Sequence, residues 1–294
     1  MGSSARVIVI GGPPGLVRRA EDRVADLELR WSRFLPHSEL SRLNDAPHGR
    51  PTIVSPDTFL LLDRAVQAWK LTDGRFDPTV LDALVAHGYH RTFTELNAGE
   101  ETRPTVDRAE MPGPTPGCAS VELDARLHAV TLPVGASIDP GGIGKGLAAD
   151  LVAEELLAAG AEGVLVDLGG DVRVAGDGPQ DGSWVVDVEH PLDRRRSVLH
   201  LLLRDAGIAT SSRLRRRWHH DGVPRHHLLD PATGQPTEGG LVAATVVAGE
   251  AWCAEALTKA AFVGGLEAVH GASALLVDRD GTCSGTADLM ALAT

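Results

Sequence analysis

A glycine-rich stretch at residues 138–146, which reads Ile-Asp-Pro-Gly-Gly-Ile-Gly-Lys-Gly, is the part of this sequence best suited to chemistry. Four glycines permit positive φ angles and let a ligand approach the backbone closely. We predict a helix from Leu147, whose free N–H groups would point back at the loop and favour an anion. Lys145 adds a positive charge and Asp139 adds an acceptor. The stretch therefore suits a phosphorylated ligand.

Two common phosphate-binding motifs do not describe this loop. The residue after Lys145 is Gly146 rather than Ser or Thr, so the stretch is not a P-loop. The third glycine of a dinucleotide-binding fingerprint is misplaced. A glycine-rich turn before a helix, without any ligand, is the alternative interpretation.

Other segments carry weaker signals, each with an ordinary structural explanation. Between two predicted helices, Phe76 could stack on a planar ring and Asp77 could bind a hydroxyl or a ring N–H. A C-cap glycine followed by an Asp N-cap explains the same residues. Thr210 and Ser211 end a predicted strand just before several arginines, a combination that suits phosphate. A solvated basic sheet edge explains that segment equally well.

Histidines crowd the segment before residue 230, at positions 219, 220, 226 and 227. A histidine is the natural proton shuttle near neutral pH. Zinc is a competing idea, although the spacing fits no familiar ligand pattern. A hydrolytic Ser-His-Asp arrangement is also conceivable, but the sequence has no Gly-x-Ser-x-Gly elbow. Asp230 begins the sequence Asp-Pro-Ala-Thr-Gly, which is typical of a turn.

The elements that must position these residues follow from periodicity and capping signals. Strands occur in runs and do not strictly alternate with helices, which favours an α+β fold with mostly antiparallel sheet. Residues 97–117 are rich in Pro, Gly and Glu and are predicted to form an exposed connection. The predicted helices cover residues 16–34, 55–72, 77–88, 147–159 and 250–262. The predicted strands cover residues 6–10, 120–123, 129–131, 163–166, 171–175, 183–188, 197–203, 207–210, 226–229, 242–247 and 274–278, and a turn covers 36–44.

Composition limits the class of protein. The 294 residues carry a net charge of −12, which argues against a general nucleic-acid or acidic-membrane surface. Three widely spaced cysteines without a Cys-x-x-Cys pair indicate neither a disulfide framework nor a thiolate metal site. No apolar run approaches the length of a membrane span, and no export signal is visible at the N-terminus. We therefore expect a cytoplasmic protein, as the sequence is written.

Six motifs occur in one order along the chain. They are Ser-Glu-Leu-Ser-Arg-Leu-Asn at 38–44, Asp-Gly-Arg-Phe-Asp-Pro-Thr at 73–79, the loop at 138–146, Asp-Leu-Gly-Gly-Asp at 167–171, Ala-Thr-Ser at 209–211 and His-Leu-Leu-Asp-Pro-Ala-Thr-Gly at 227–234. In this order the sequence resembles the FAD:protein FMN transferase (ApbE) family over nearly its whole length. The resemblance implies a single domain over residues 1–294 with an α+β fold of the T-fold type. It also implies FAD and magnesium as ligands.

The resemblance assigns roles position by position. His227 matches the residue linked to proton removal from the acceptor hydroxyl, and Asp230 would orient it or fix the turn. The Gly142 carbonyl matches a metal ligand, as does Glu255. The positions that match contacts with FAD are Met1, Phe34, Arg75, Phe76, Asp77, Asp139, Lys145, Thr210, Ser211 and Leu229.

Two departures from the family pattern alter these expectations. The best match to the family's opening motif is Met1-Gly2-Ser3, so either the start of this sequence is too late or part of the flavin wall is absent. The family's metal-binding Asp and Thr fall at Glu255 and Lys259, and a lysine offers no oxygen to magnesium. An i,i+4 Glu–Lys pair is usually only a surface ion pair. In this sequence we expect Lys259 to act as a built-in cation held by Glu255, with weak or absent magnesium dependence. The alternative is that Lys259 turns to solvent and Glu255 alone holds a loosely bound ion.

The function implied is transfer of FMN from FAD to a Thr or Ser hydroxyl of an acceptor flavoprotein, with release of AMP. Two other functions stay open on the same residues. One is a non-catalytic FAD-binding protein, acting as a flavin store or sensor. The other is an FAD pyrophosphatase that uses water as the acceptor and yields FMN and AMP.

Overall fold

A computed structural model describes residues 4–97 and 112–293. Met1 and most of the predicted connection at 97–117 lie outside the described residues. Contacts between Cα atoms divide the chain into two compact units. The first unit comprises Met1–Gly2, Glu28–Gly142 and Arg213–Glu238, and the second comprises Ser3–Leu27, Ile143–Ser212 and Gly239–Thr294. A single domain over residues 1–294 stays a prediction.

Helices in the described residues are numbered in chain order. They are α1 Leu16–Trp31, α2 Glu39–Asn44, α3 Pro56–Leu71, α4 Leu81–Ala86, α5 Phe93–Asn97, α6 Gly144–Ala158 and α7 Ala251–Gly264, with short 3-10 helices at Pro78–Val80, Gly265–Ala268 and Ala287–Leu292.

Strands are numbered in the same way. They are β1 Ala5–Ile10, β2 Thr52–Ile53, β3 Glu122–Asp124, β4 Ala129–Thr131, β5 Gly163–Leu168, β6 Val172–Gly176, β7 Trp184–Glu189, β8 Ser197–Leu203, β9 Ala206–Ser212, β10 Arg217–His220, β11 Val223–His226, β12 Leu229–Asp230, β13 Gln235–Pro236, β14 Leu241–Ala248, β15 Ser273–Asp278 and β16 Cys283–Gly285.

The second unit is built on a seven-stranded antiparallel sheet in the order β1-β5-β6-β9-β14-β15-β16. Helix α6 packs on β5 and β6, while α7 packs on β9, β14 and α6. An apolar cluster joins the sheet to the β7–β8 hairpin, with Trp184 and Leu201 from the hairpin against Val174 and Ile208 from the sheet. Burial of side chains of this size is the main stabilising term for such a layered unit.

The first unit contains a three-stranded antiparallel sheet in the order β2-β4-β3 and two short hairpins, β10–β11 and β12–β13. Helix α3 begins where the sequence predicts, because the Ser55 side chain accepts a hydrogen bond from the Thr58 N–H and Pro56 takes the first helical position. Asp77 caps the 3-10 helix that precedes α4 in the same way.

Three local predictions are wrong, two of them for reasons that the structure shows. The predicted turn at 36–44 contains helix α2, because Ser38 caps it and Leu40 and Leu43 are buried. The predicted strand at 226–229 is broken, since the His226 ring accepts the Leu228 N–H between β11 and β12. Helix α6 begins at Gly144 rather than at Leu147. The predicted mostly antiparallel α+β architecture is confirmed.

Candidate functional site

The residues assigned by sequence fall into two groups, one in each unit. In the second unit, the first turn of α6 lies directly against the start of α7. A Cβ atom placed on Gly146 would lie 2.4 Å from the Ala251 carbonyl oxygen. Only glycine allows this approach. The last three residues of the glycine-rich stretch, Gly144 to Gly146, are part of a helix that is packed on its neighbour.

This close approach builds a carboxylate–ammonium cluster, which we define as Lys145, Asp171, Glu255 and Lys259. The Lys145 ammonium lies 2.8 Å from Glu255 Oε1 and also contacts the Asp171 carboxylate. The Lys259 ammonium lies 3.4 Å from the same Glu255 oxygen. The other oxygen, Oε2, accepts the Gly146 N–H at 2.8 Å. Both oxygens of Glu255 are thus occupied.

Burial sets the electrostatics of this cluster. The side chains of Glu255 and Asp171 are 0% and 3% exposed, and those of Lys145 and Lys259 are 15% and 17% exposed. Burial acts to raise the pKa of Glu255, but the ammonium groups of Lys145 and Lys259 hold that pKa below its usual value. Glu255 is therefore an anion near neutral pH, balanced by two cations.

The hydroxyls predicted at the end of β9 lie close to α7 and β14. Ser211 is buried, and its Oγ lies 2.7 Å from Thr258 Oγ1. The Thr258 hydroxyl also donates to the Glu255 carbonyl at 2.6 Å. Thr210 is exposed and pairs with Thr245 across the sheet, with 2.9 Å between the hydroxyl oxygens. Of the two, Thr210 is the hydroxyl that solvent reaches.

In the first unit, Asp139 is held by two donors and is itself buried. Its carboxylate accepts the Gly141 N–H at 2.6 Å and lies 3.3 Å from the Arg33 guanidinium. Gly142, the last residue of this unit's central segment, is half-buried. The beginning of the glycine-rich stretch is thus fixed by its own Asp side chain and by an arginine that the sequence did not single out.

Arg33 lies against three aromatic residues and a leucine, Phe34, Tyr89, Trp218 and Leu229, which we call the aromatic cluster. The guanidinium lies 4.2 Å from the ring centroid of Phe34 and 4.5 Å from that of Tyr89. Tyr89 and Trp218 stack with centroids 5.0 Å apart. Leu229 packs in the same cluster. The sequence predicts Phe34 and Leu229 but misses Arg33, Tyr89 and Trp218, because these three come together only through tertiary contacts.

Arg33 carries one further feature of a binding residue. Its side chain is 6% exposed, and within the described part of the chain its Nη2 has no hydrogen-bond partner. An unsatisfied buried donor is costly, and it is often retained where a ligand supplies the acceptor. An arginine just after an amphipathic helix and next to Phe34 is the signal that could have identified it.

The segment at 73–79 is arranged around the Asp77 cap. The Asp77 carboxylate accepts the Thr79 N–H at 2.8 Å and also bonds the Thr79 and Thr115 hydroxyls. Phe76 is buried. Arg75 is partly exposed and lies 3.3 Å from Asp73. The capping interpretation of this segment accounts for these contacts.

The histidines lie on and after the β10–β11 hairpin. His227 is half-buried between β11 and β12. The His226 ring lies 3.2 Å from the Thr237 carbonyl, and burial together with the Arg213 charge lowers the pKa of His226 to about 4. The Asp230 carboxylate accepts the Ala232 N–H at 2.9 Å, so it fixes the turn. Asp230 is expected either to orient His227 or to fix the turn, and its bond to the Ala232 N–H belongs to the turn.

Magnesium, which the resemblance implies, does not fit the residues present on α7. Glu255 has both oxygens occupied by nitrogen donors, and Lys259 stands one helical turn away with an ammonium group. Within residues 4–97 and 112–293, no group of three or more His, Cys, Asp or Glu side chains could hold a metal ion. Across the same residues, no helix is both long and apolar enough to cross a membrane.

The fold of this chain, an antiparallel sheet packed on helices, superposes on solved structures of ApbE proteins. The ApbE protein of Thermotoga maritima superposes with a TM-score of 0.83 at 28% identity. The superposition covers 100% of this chain and 96% of the Thermotoga chain. The apo form of the flavinyl transferase ApbE of Pseudomonas stutzeri superposes with a TM-score of 0.82 at 27% identity. That superposition covers 99% of this chain and 94% of the Pseudomonas chain. These matches confirm the fold predicted from the motifs.

Sequence comparison agrees with the structural match. The model of the ApbE family matches residues 1–279. The FAD:protein FMN transferase of Vibrio cholerae is 29% identical over 243 residues, which are 81% of this chain and 70% of that protein. The chain belongs to the ApbE family, and the resemblance inferred from the six motifs is confirmed.

Proposed function

We propose that this chain transfers FMN from FAD to the hydroxyl of a Thr or Ser on an acceptor flavoprotein and releases AMP. The observation that carries the proposal is the family match over residues 1–279, which spans all six motifs. The relatives that the chain matches bear the name FAD:protein FMN transferase. An enzyme activity on FAD is therefore the function that the chain supports best.

The reaction is a displacement at phosphorus. The acceptor hydroxyl oxygen attacks the phosphorus on the FMN side of the FAD pyrophosphate, and the bond from that phosphorus to the bridging oxygen breaks. AMP leaves with the bridging oxygen and its electron pair. His227 accepts the proton of the attacking hydroxyl, a role suited to a half-buried imidazole. Positioning and charge stabilisation account for most of the catalysis in such transfers.

The charges of the cluster around Lys145 suit the leaving pyrophosphate oxygens. Lys145 lies in the first turn of α6, where the helix dipole also favours an anion. The Lys145 side chain is still 15% exposed, although it is bound to Asp171 and Glu255. Preorganised cations of this kind stabilise a developing charge without rearranging during the reaction.

The aromatic cluster and Arg33 suit the flavin end of the ligand. Phe34 is a half-buried aromatic ring, and the Arg33 Nη2 is a hydrogen-bond donor. FAD carries a second phosphate and an adenosine that FMN lacks, so a site that recognises FAD makes contacts that FMN cannot make. We therefore expect FAD to bind more tightly than FMN, and calorimetry with both ligands measures the difference. Equal affinities would contradict the proposal.

The test of the reaction is incubation of the purified protein with FAD and a candidate acceptor domain, followed by intact mass spectrometry. The expected result is an acceptor heavier by one FMN less water, with AMP in solution. An acceptor variant with Val in place of the target Thr is the control, because it keeps the shape and removes the hydroxyl. Free FMN and AMP without an adduct would indicate a pyrophosphatase, and intact FAD would indicate a binding protein.

The role of His227 has a matched control in the preceding residue. His227→Ala should keep the affinity for FAD and lose transfer, because only the transition state loses an interaction. His226→Gln should keep both, since the His226 ring contacts the Thr237 carbonyl within its own unit. Loss of folding or of FAD binding in His227→Ala would instead make His227 a structural residue.

A further inference from the structure

The way in which this chain provides positive charge at α7 differs from a divalent-cation site. Glu255 is fully buried, and its carboxylate accepts hydrogen bonds from the ammonium groups of Lys145 and Lys259 and from the Gly146 N–H. A bound Mg²⁺ needs oxygen ligands at about 2.1 Å in near-octahedral geometry. The side chain one helical turn from Glu255 is the amine of Lys259, which supplies no oxygen.

Distances show that an ion and the two ammonium groups would compete for the same space. An ion bound at about 2.1 Å from Glu255 Oε1 would lie no more than about 5.5 Å from the Lys259 nitrogen and about 4.9 Å from the Lys145 nitrogen. Like charges at such distances repel strongly when they are partly buried. The cluster already pairs two carboxylates with two ammonium groups, so its charge is balanced without an ion.

The amino-acid composition makes the arrangement specific. The chain holds 28 basic residues of the Lys and Arg types, and only three of them are lysines: Lys70, Lys145 and Lys259. Two of these three meet at one buried carboxylate. An ammonium is a compact, point-like charge, as a metal ion is, whereas a guanidinium is planar and directional. A position that replaces a metal ion would therefore favour Lys over the Arg used elsewhere.

From these observations we infer that the Lys259 ammonium, held on Glu255 beside Lys145, takes the place of the divalent cation in this chain. This inference rests on the proposed function, since the charge it supplies would act on the FAD pyrophosphate. FAD binding and FMN transfer then require no magnesium. Lys259 supplies the positive charge, Glu255 holds it in place, and the 17% exposure of the Lys259 side chain leaves it accessible to a ligand.

Direct cation binding tests the inference without any turnover. Mn²⁺ is the probe, titrated into the full chain and followed by electron paramagnetic resonance. Wild type and the control Lys70→Thr, which removes an exposed lysine, should show no saturable site. Lys259→Thr removes the ammonium and supplies a hydroxyl oxygen, so it should gain one saturable site. One Mn²⁺ bound per wild-type chain, unchanged in Lys259→Thr, would overturn the inference.

FAD affinity measured in EDTA and in magnesium gives a second, independent readout. Wild type should bind FAD equally under both conditions. Lys259→Thr should lose about tenfold in EDTA and recover that affinity when magnesium is added. Lys259→Met removes the charge without adding an oxygen, so its weaker binding should persist in magnesium. A wild-type affinity that collapses in EDTA would show that the lysine does not replace the ion.

Transfer assays separate failure of this inference from failure of the proposed function. Equal FMN transfer by wild type in EDTA and in magnesium supports both the proposed function and the replacement of the divalent cation by Lys259. Transfer in magnesium alone overturns the built-in cation and leaves the transferase activity standing. Absence of transfer under both conditions overturns the proposed function, and the Mn²⁺ titration still decides whether Lys259 excludes a divalent ion.

Discussion

Replacing Gly146 by Ala is the sharpest test of how α6 and α7 are packed. A Cβ atom at this position would lie 2.4 Å from the Ala251 carbonyl oxygen and 2.7 Å from the Trp252 nitrogen. Both are backbone atoms of α7 and cannot rotate away. Ordinary contacts need roughly 1 Å more than this, so the two helices must move apart.

The magnitude follows from three contributions. Ala in place of a helical Gly favours the helix by about 1 kcal/mol. Overpacking against backbone costs about 3 kcal/mol, the upper end of the usual range. Separation of the helices also weakens the hydrogen bond from the Gly146 N–H to Glu255, 2.8 Å long, and a bond to a charged group contributes about 2 kcal/mol. We therefore expect Gly146→Ala to lose roughly 3–4 kcal/mol of unfolding free energy.

Urea unfolding of wild type and variant measures this loss. Gly249→Ala is the matched control, because it lies just before α7 and its Cβ would meet no atom within 4 Å. The control should change stability by less than about 0.5 kcal/mol. A Gly146→Ala protein as stable as wild type, or more stable, would mean that helix propensity outweighs the contact with α7, and the packing argument would be refuted.

Three further predictions concern single side chains. Glu255→Gln leaves the ammonium groups of Lys145 and Lys259 with Asp171 as the remaining carboxylate of the cluster, so the urea midpoint should fall by an amount equivalent to about 3–5 kcal/mol; an unchanged midpoint would contradict the role of the cluster. Burial and the Arg213 charge lower the pKa of His226 to about 4. Its stabilising contribution is therefore complete above pH 6.5 and lost as the pH falls towards 4, by about 2 kcal/mol once solvent access to the ring is allowed for. In His226→Gln, the unfolding free energy measured by urea titration should change less with pH over that window than it does in wild type. Asp77→Ala removes a cap and should lower the melting temperature by an amount equivalent to about 1–2 kcal/mol, whereas Asp77→Asn should restore most of it; equal melting temperatures for the two would contradict the cap.

Local signals in the sequence determined much of the secondary structure. Ser55-Pro56 and Asp77-Pro78 mark two helix starts that the structure places where expected, because a cap and a proline act within one turn of chain. The ordered glycine, hydroxyl and histidine motifs also sufficed to assign the family, which the match over residues 1–279 confirms. The Glu255–Lys259 ion pair was likewise foreseeable from a spacing of four on one helix.

Tertiary structure decided what these residues contact. Lys145 meets Asp171 and Glu255, which are 26 and 110 positions away in sequence, and periodicity carries no information about such pairs. Arg33 reaches Asp139 and Tyr89 for the same reason. The close approach of α6 to α7 is also a tertiary feature, because Gly146 has no side chain to keep the backbone of Ala251 away. Sequence thus specifies interactions within a turn or two of the chain, whereas the charge balance at Glu255 arises only when distant segments are packed together and water is excluded.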